Sequence, residues 1–170
     1  MSRGKKAFGS GDSLTPWLLL SAVIILLDQI TKIAVEKRFN FAERLSVFQG
    51  FFDLTLVYNK GAAFSFLASA GGWQRWFFIG LGTVAAIFLI YLLVKHASQR
   101  LFCFGLAMIL GGAIGNVIDR VWRGQVVDFL LVYYHDFYWP AFNVADSAIN
   151  IGAACLIIDE IRRVRATRKT

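Results

Sequence analysis

The stretch that decides the fold is Pro16-Trp17-Leu18-Leu19-Leu20-Ser21-Ala22-Val23-Ile24-Ile25-Leu26-Leu27-Asp28-Gln29-Ile30-Thr31-Lys32-Ile33-Ala34-Val35. Twenty residues rising about 1.5 Å each cross the roughly 30 Å of a bilayer's hydrocarbon core. Only Asp28 and Lys32 interrupt the apolar run, and at i, i+4 they share one helical face. Arg3, Lys5 and Lys6 precede it, as basic residues precede a secretory signal. No small-x-small cleavage site follows, so a retained first span is expected.

Working outward, three further runs have similar length and composition: Trp76–Val94, Leu101–Ile118 and Ala141–Ile161. The whole chain agrees, with 57% hydrophobic and 17% charged residues and a mean hydropathy of +0.57. An average soluble domain is about 25% charged. The expectation is a mainly α membrane protein, a four-transmembrane-helix bundle. The 170 residues leave no room for a second domain, so residues 1–170 form a single polytopic membrane domain.

Charge and cysteine content exclude several functions. A net charge of +7 is compatible with nucleic-acid binding, but in a membrane chain basic residues set topology and meet anionic head groups. No nucleic-acid partner is expected. Cys103 and Cys155 each fall inside an apolar run and read as buried structural thiols, with no disulfide framework. His96 and His135 lack the spacing of a zinc site, so neither a metal nor a cofactor is expected.

Four spans place both termini on one side, together with Lys95, Arg100 and the basic tail from Arg162 to Lys169. The positive-inside bias puts that side in the cytoplasm. Trp73, Trp76, Trp122 and Trp139 flank spans on the outer side, at head-group level. Between the first two spans, Val47–Tyr58 is rich in β-branched and aromatic residues and broken by Gly50. It predicts two short strands, part of a small extracytoplasmic β-region over about residues 40–70, with Phe64, Phe66 and Leu67 continuing the apolar pattern.

Polar residues converge at one depth. Span one brings Asp28 to its outer half, span three ends with Asn116, Asp119 and Arg120, and span four begins with Asn143 and Asp146. Asp146 lies only about 8 Å below Ala141 along a helix. Between spans three and four, Asp128 sits among apolar neighbours. Simpler roles exist for each. Asp28 and Lys32 can form a helix-face ion pair, and Asn143 with Asp146 resembles a helix cap. Gly111 and Gly115 suit close helix packing. Asp119-Arg120 can be an interfacial pair, and Asp128 can face water. One polar site accounts for all of them together.

Two carboxyls sharing a site hold one proton between them. The ionised member can deprotonate water for attack on an amide carbonyl, while the protonated member hydrogen-bonds the carbonyl oxygen. Asp128 and Asp146 are the best such pair. A small proton-coupled transporter or relay protein is the alternative, but it expects acids near the bilayer midplane.

Five blocks then resemble the bacterial lipoprotein signal peptidase family, also called signal peptidase II. They are Asp28–Lys32, Tyr58–Ser65, Gly112–Arg120, Val126–Phe129 and Phe142–Ser147. The resemblance implies a membrane aspartyl endopeptidase that removes signal peptides from diacylglyceryl-modified prolipoproteins, cleaving before the lipid-modified cysteine. It implies Asp128 and Asp146 as the catalytic pair. Asn59, Asn116, Arg120 and Asn143 would hold substrate or position the pair, with Asp28 and Gly61 in support. The expected partners are diacylated prolipoproteins and membrane lipid. The expected form is a monomer in the bacterial inner membrane, its site near the outer face.

Overall fold

A computed structural model describes residues 13–61 and 71–168. Arg3, Lys5, Lys6, Lys169 and the segment carrying Phe64, Phe66 and Leu67 lie outside the described residues, as does the Ala62–Ser65 end of the second block. The described elements are four helices, α1 (Thr15–Arg38), α2 (Trp73–Lys95), α3 (Arg100–Trp122) and α4 (Val144–Thr167), and four strands. The strands are β1 (Arg44–Phe48), β2 (Phe52–Asn59), β3 (Val126–Tyr134) and β4 (Phe137–Tyr138), in the spatial order β1-β2-β3-β4.

Local chemistry sets these limits. Pro16 falls in the first turn of α1, where its missing N–H costs nothing. Gly71 and Gly72, with φ of 74° and 104°, turn the chain into α2. Asn143 caps α4. Gly50 at φ 83° joins β1 to β2, as its place in the sequence predicts.

The helices expose broad apolar faces, and α1 buries charged and polar side chains. The inward stripe of α1 is Ser21, Ile24, Asp28, Lys32 and Val35, at helical spacing, while Leu18, Leu19, Val23, Leu26, Leu27 and Ile30 face outward. In α2 the exposed side carries Leu81, Val84, Ile87 and Phe88. Such an inverted pattern is stable only where the surroundings are themselves apolar. Three helices, α1, α2 and α3, are long and apolar enough to cross a membrane. The fourth, α4, carries Asp146 in its first turn and Asp159, Glu160, Arg162, Arg163 and Arg165 towards its end.

Helix α3 is the central post, with α1, α2 and α4 packed on it. Small residues permit the close approach to α4: a Cβ on Gly105 would stand 2.9 Å from the Gly152 carbonyl oxygen. Leu89, Leu93, Cys103, Leu106 and Leu110 form one apolar cluster between α2 and α3. Cys103 is buried as expected, its thiol donating to the His96 carbonyl oxygen at 3.0 Å.

The sheet differs from expectation in origin. The β-region expected between the first two helices supplies β1 and β2, but β3 and β4 come from the segment joining α3 to α4. Asp128 therefore lies on a strand paired with Val57, not in a short loop, and it is 3% exposed. Val35, Leu56, Val127 and Phe129 form the second apolar cluster, where the sheet meets α1. The sheet thus covers the end of the bundle at which α1 and α3 finish and α4 begins.

Candidate active site

Three elements deliver the polar groups to one place. The extended backbone of β3 alternates its side chains, sending Val127 into the apolar cluster and Asp128 to a cleft between sheet and helices. The first turn of α4 presents Asp146, and the last two turns of α3 present Asn116 and Arg120, one turn apart. A cleft of about 570 Å³ is lined by Asp128 and Asp146 together with Asn59, Lys60, Phe78, Asn116 and Arg120.

Asn143 sits fully buried between the two carboxyls and touches both. Its Nδ2 donates to Asp128 Oδ1 at 2.7 Å, and its backbone N–H donates to Asp146 Oδ2 at 3.2 Å. In return, the Asp146 N–H donates to Asn143 Oδ1 at 2.9 Å, which completes a capping box. The cap and the carboxylate pair are one structure. Asn59 Nδ2 donates to the remaining Asp128 oxygen at 3.2 Å, and Asn116 Nδ2 to Asp146 Oδ1 at 2.8 Å.

The electrostatics follow from that geometry. Burial pushes the Asp128 carboxyl up to about 7, and the charge of Asp146 adds to the push. Hydrogen bonds from Asn59 and Asn143, and the Lys32 charge, pull against it without prevailing. Arg120 faces the pair from α3. Its guanidinium stacks over the Phe78 ring at 4.9 Å, donates to the Asn116 and Gly61 carbonyl oxygens at 3.2 and 3.0 Å, and keeps Nε buried without a hydrogen-bond partner among the described residues. Gly61 takes part through its backbone alone, its N–H donating to Asn59 Oδ1 at 2.9 Å.

Of the eight residues singled out from sequence, Asn59, Asn116, Arg120, Asp128 and Asp146 line the cleft, and Asn143 bridges the two acids. Gly61 holds Arg120. Asp28 lies behind the cleft, fully buried, where it accepts the Ala145 N–H at 2.9 Å. The Asp28–Lys32 helix-face pair forms at 2.8 Å, but it is buried and includes a third member: Lys32 Nζ also meets Asp119 Oδ2 at 2.8 Å. Asp119 does not pair with Arg120 at an interface; its other oxygen meets Arg123 at 2.7 Å. Lys32 and Asp119 were not among the eight. The i, i+4 spacing of Asp119 and Arg123 is the sequence signal for this inner pairing. Gly111 and Gly115 do serve close packing, against Ser21 and Ile24 and against Asp28 respectively.

An apolar helical frame that turns its polar groups inward, with two carboxyls on one cleft, defines an acid/base enzyme of the membrane. The model of the family described as Signal peptidase (SPase) II matches residues 20–162, and the chain belongs to that family. It is 61% identical to a lipoprotein signal peptidase of Ralstonia nicotianae over 92% of this chain and 90% of that one. A lipoprotein signal peptidase of Janthinobacterium sp. (strain Marseille) is 62% identical over 96% of this chain and 99% of its own. The fold is similar to that of a solved bacterial membrane enzyme, with a TM-score of 0.80 and 30% identity, covering 89% of this chain and 90% of the other.

Proposed function

We propose that this chain is an aspartic endopeptidase that cleaves diacylglyceryl-modified prolipoproteins just before the lipid-modified cysteine, with Asp128 and Asp146 as its catalytic pair. The observation that carries this reading is the placement of both carboxyls on one cleft, tied together by Asn143. The elevated Asp128 carboxyl supplies a proton near neutral pH, and the pair shares that proton.

In the reaction, the ionised carboxylate takes a proton from water as the water oxygen attacks the scissile carbonyl carbon. The protonated carboxyl gives its proton to the carbonyl oxygen, forming a neutral gem-diol. Collapse breaks the C–N bond. The proton taken from water passes to the leaving nitrogen, and a gem-diol hydroxyl proton returns to the pair. The products are the signal peptide's new carboxyl terminus and the free amine of the lipid-modified cysteine. Asn116 and Asn143 hold the carboxyl oxygens in place. Arg120 and Asn59 line the cleft that would receive the substrate backbone.

The membrane arrangement belongs to the same proposal. Helix α4 crosses the bilayer as a fourth span, its uncharged stretch from Ser147 to Ile158 packed on α3. Both termini are cytoplasmic, the sheet and cleft lie at the outer face of the bacterial inner membrane, and the chain acts as a monomeric single domain. A lipid-anchored peptide then meets the cleft at head-group depth, where the exposed apolar side chains Phe41, Leu45, Phe48 and Phe51 of the sheet region also sit.

The test is cleavage of a diacylated prolipoprotein by wild type, Asp128→Asn and Asp146→Asn in detergent. Both variants insert and fold but do not cleave. Near-normal turnover by either folded variant sinks the pair, and equal cleavage of an unacylated precursor sinks the lipid-delivery half of the reading.

A further inference from the structure

Behind the cleft, three fully buried charges meet: Asp28 and Lys32 of α1 and Asp119 of α3. Lys32 Nζ stands 2.8 Å from both Asp28 Oδ2 and Asp119 Oδ2. Each carboxylate uses a backbone N–H as a further handle. Asp28 Oδ1 accepts the N–H of Ala145 at 2.9 Å, and Asp119 Oδ2 accepts the N–H of Val127 at 3.1 Å. Ala145 immediately precedes Asp146, and Val127 immediately precedes Asp128. The two carboxylates therefore grip the chain one residue before each member of the candidate pair, and a single ammonium holds the two grips together. Lys32 reaches the pair by a third route, donating to Asn116 Oδ1 at 3.2 Å while Asn116 Nδ2 holds Asp146 Oδ1 at 2.8 Å.

We infer that Lys32, Asp28 and Asp119 form a charged strut that sets the separation of Asp128 and Asp146, with Lys32 and Asp119 as positioning residues; this rests on the dyad reading above. Packing alone gives no reason for ions at this point, because apolar side chains of similar volume fill buried space at least as well. Apolar side chains cannot grip an N–H, however. β3 and α4 follow each other along the chain, with only the β4 link between them, and Asn143 ties them directly through Val127 O and Asp128 Oδ1. A shared ionic node gives both the same fixed reference on α1 and α3. Arg123 and Gln29 complete it: Arg123 balances the second carboxylate at 2.7 Å, and Gln29 Nε2 donates to Asp28 and Asp119 at 3.1 and 3.0 Å. Gly115 admits the node to α3, since a Cβ there would lie 2.7 Å from Asp28 Oδ2.

The discriminating variant is the double substitution Lys32→Met with Asp28→Asn. It leaves no unpaired buried charge, because Asp119 keeps Arg123, so the chain is expected to fold. Melting temperature, KM and kcat are measured on detergent-purified protein with a diacylated prolipoprotein, alongside Asp119→Asn and Asp128→Asn. The strut predicts near-wild-type melting, KM within about twofold and kcat lower by about 100-fold, the scale of a reacting group misplaced by about 1 Å. A folded double variant with kcat within about threefold of wild type overturns the strut, as does a normal kcat in folded Asp119→Asn. Failure of both variants to fold assigns the node to folding instead and overturns it equally. Asp128→Asn keeps the two readings apart: if that variant cleaves normally, the dyad fails whatever the strut does.

Discussion

Replacing Asp128 with Asn should make the protein more stable above neutral pH and less stable near pH 4. In the folded state the Asp128 carboxyl is pushed from 3.8 to about 7, chiefly by burial. Between those values the folded chain holds a proton that the unfolded chain has released. Stability from this group is therefore present in full below about 4 and is lost as pH rises to about 7, after which it stays flat. A gap of about three pH units at about 1.4 kcal/mol each puts the penalty of the ionised form at about 4 kcal/mol at pH 8. The group is 3% exposed, so solvent screens little of this.

The amide removes that penalty but gives up a hydrogen bond. Asp128 accepts from two amide donors, Asn143 Nδ2 and Asn59 Nδ2, and an Asn at position 128 can accept only one of them without a donor–donor clash. That loss costs about 1–2 kcal/mol at every pH. At pH 8 the variant should therefore be ahead by roughly 2–3 kcal/mol, which raises the melting temperature by roughly 5–10 °C for a chain of this size. Near pH 4 the balance reverses and the variant melts a few degrees below wild type. The assay is thermal unfolding in one detergent at pH 4, 6 and 8 for both proteins. A variant that melts below wild type by the same margin at all three would refute the buried, elevated carboxyl. Under the proposed pair, the gain in stability comes with loss of cleavage, a common exchange between stability and activity.

Three other outcomes follow from single contacts. Asn59→Ala removes a hydrogen bond that lowers the Asp128 carboxyl, so the alkaline limb of the kcat/KM profile should move to higher pH; a limb that stays or moves down would contradict the contact. Gly115→Ala forces a methyl group against the Asp28 carboxylate, and should cost about 1–3 kcal/mol by overpacking, read as a melting temperature at least several degrees lower. Arg75 donates to the Arg120 and Val121 carbonyl oxygens at 2.7 and 2.9 Å, closing the end of α3. Arg75→Ala should lose about 1–3 kcal/mol and speed amide exchange in the last turn of α3 but not at its centre.

How much of this was legible in the sequence depended on whether the deciding interaction was local. The helices were, because apolar length is a local property: the runs at Pro16–Val35 and Trp76–Val94 lie within α1 and α2. So were β1 and β2, where Gly50 divides a β-branched run. The strand β3 was hidden by its own composition, since Val126–Tyr134 is as apolar as a helix flank and becomes a strand only by pairing with β2, some seventy residues earlier. Asp28 and Lys32 were legible as a pair at i, i+4. Their third partner, Asp119, was not, because nothing local links α1 to the end of α3.

Asp146 shows why a local reading can be correct and still incomplete. Its spacing from Asn143 marks a capping box, and the box forms. A cap alone needs only one carboxylate oxygen, however, and Asp146 Oδ2 fills that role by accepting the Asn143 N–H. The other oxygen is turned to Asn116 and the cleft. Asn143 is likewise divided: its Oδ1 caps the helix while its Nδ2 reaches Asp128. The cap therefore fixes the rotamer of Asp146 from one side and ties the helix terminus to the second acid from the other. A helix start so capped is tightly constrained, which makes it a suitable place to hold a carboxyl still, as the proposed role of Asp146 requires.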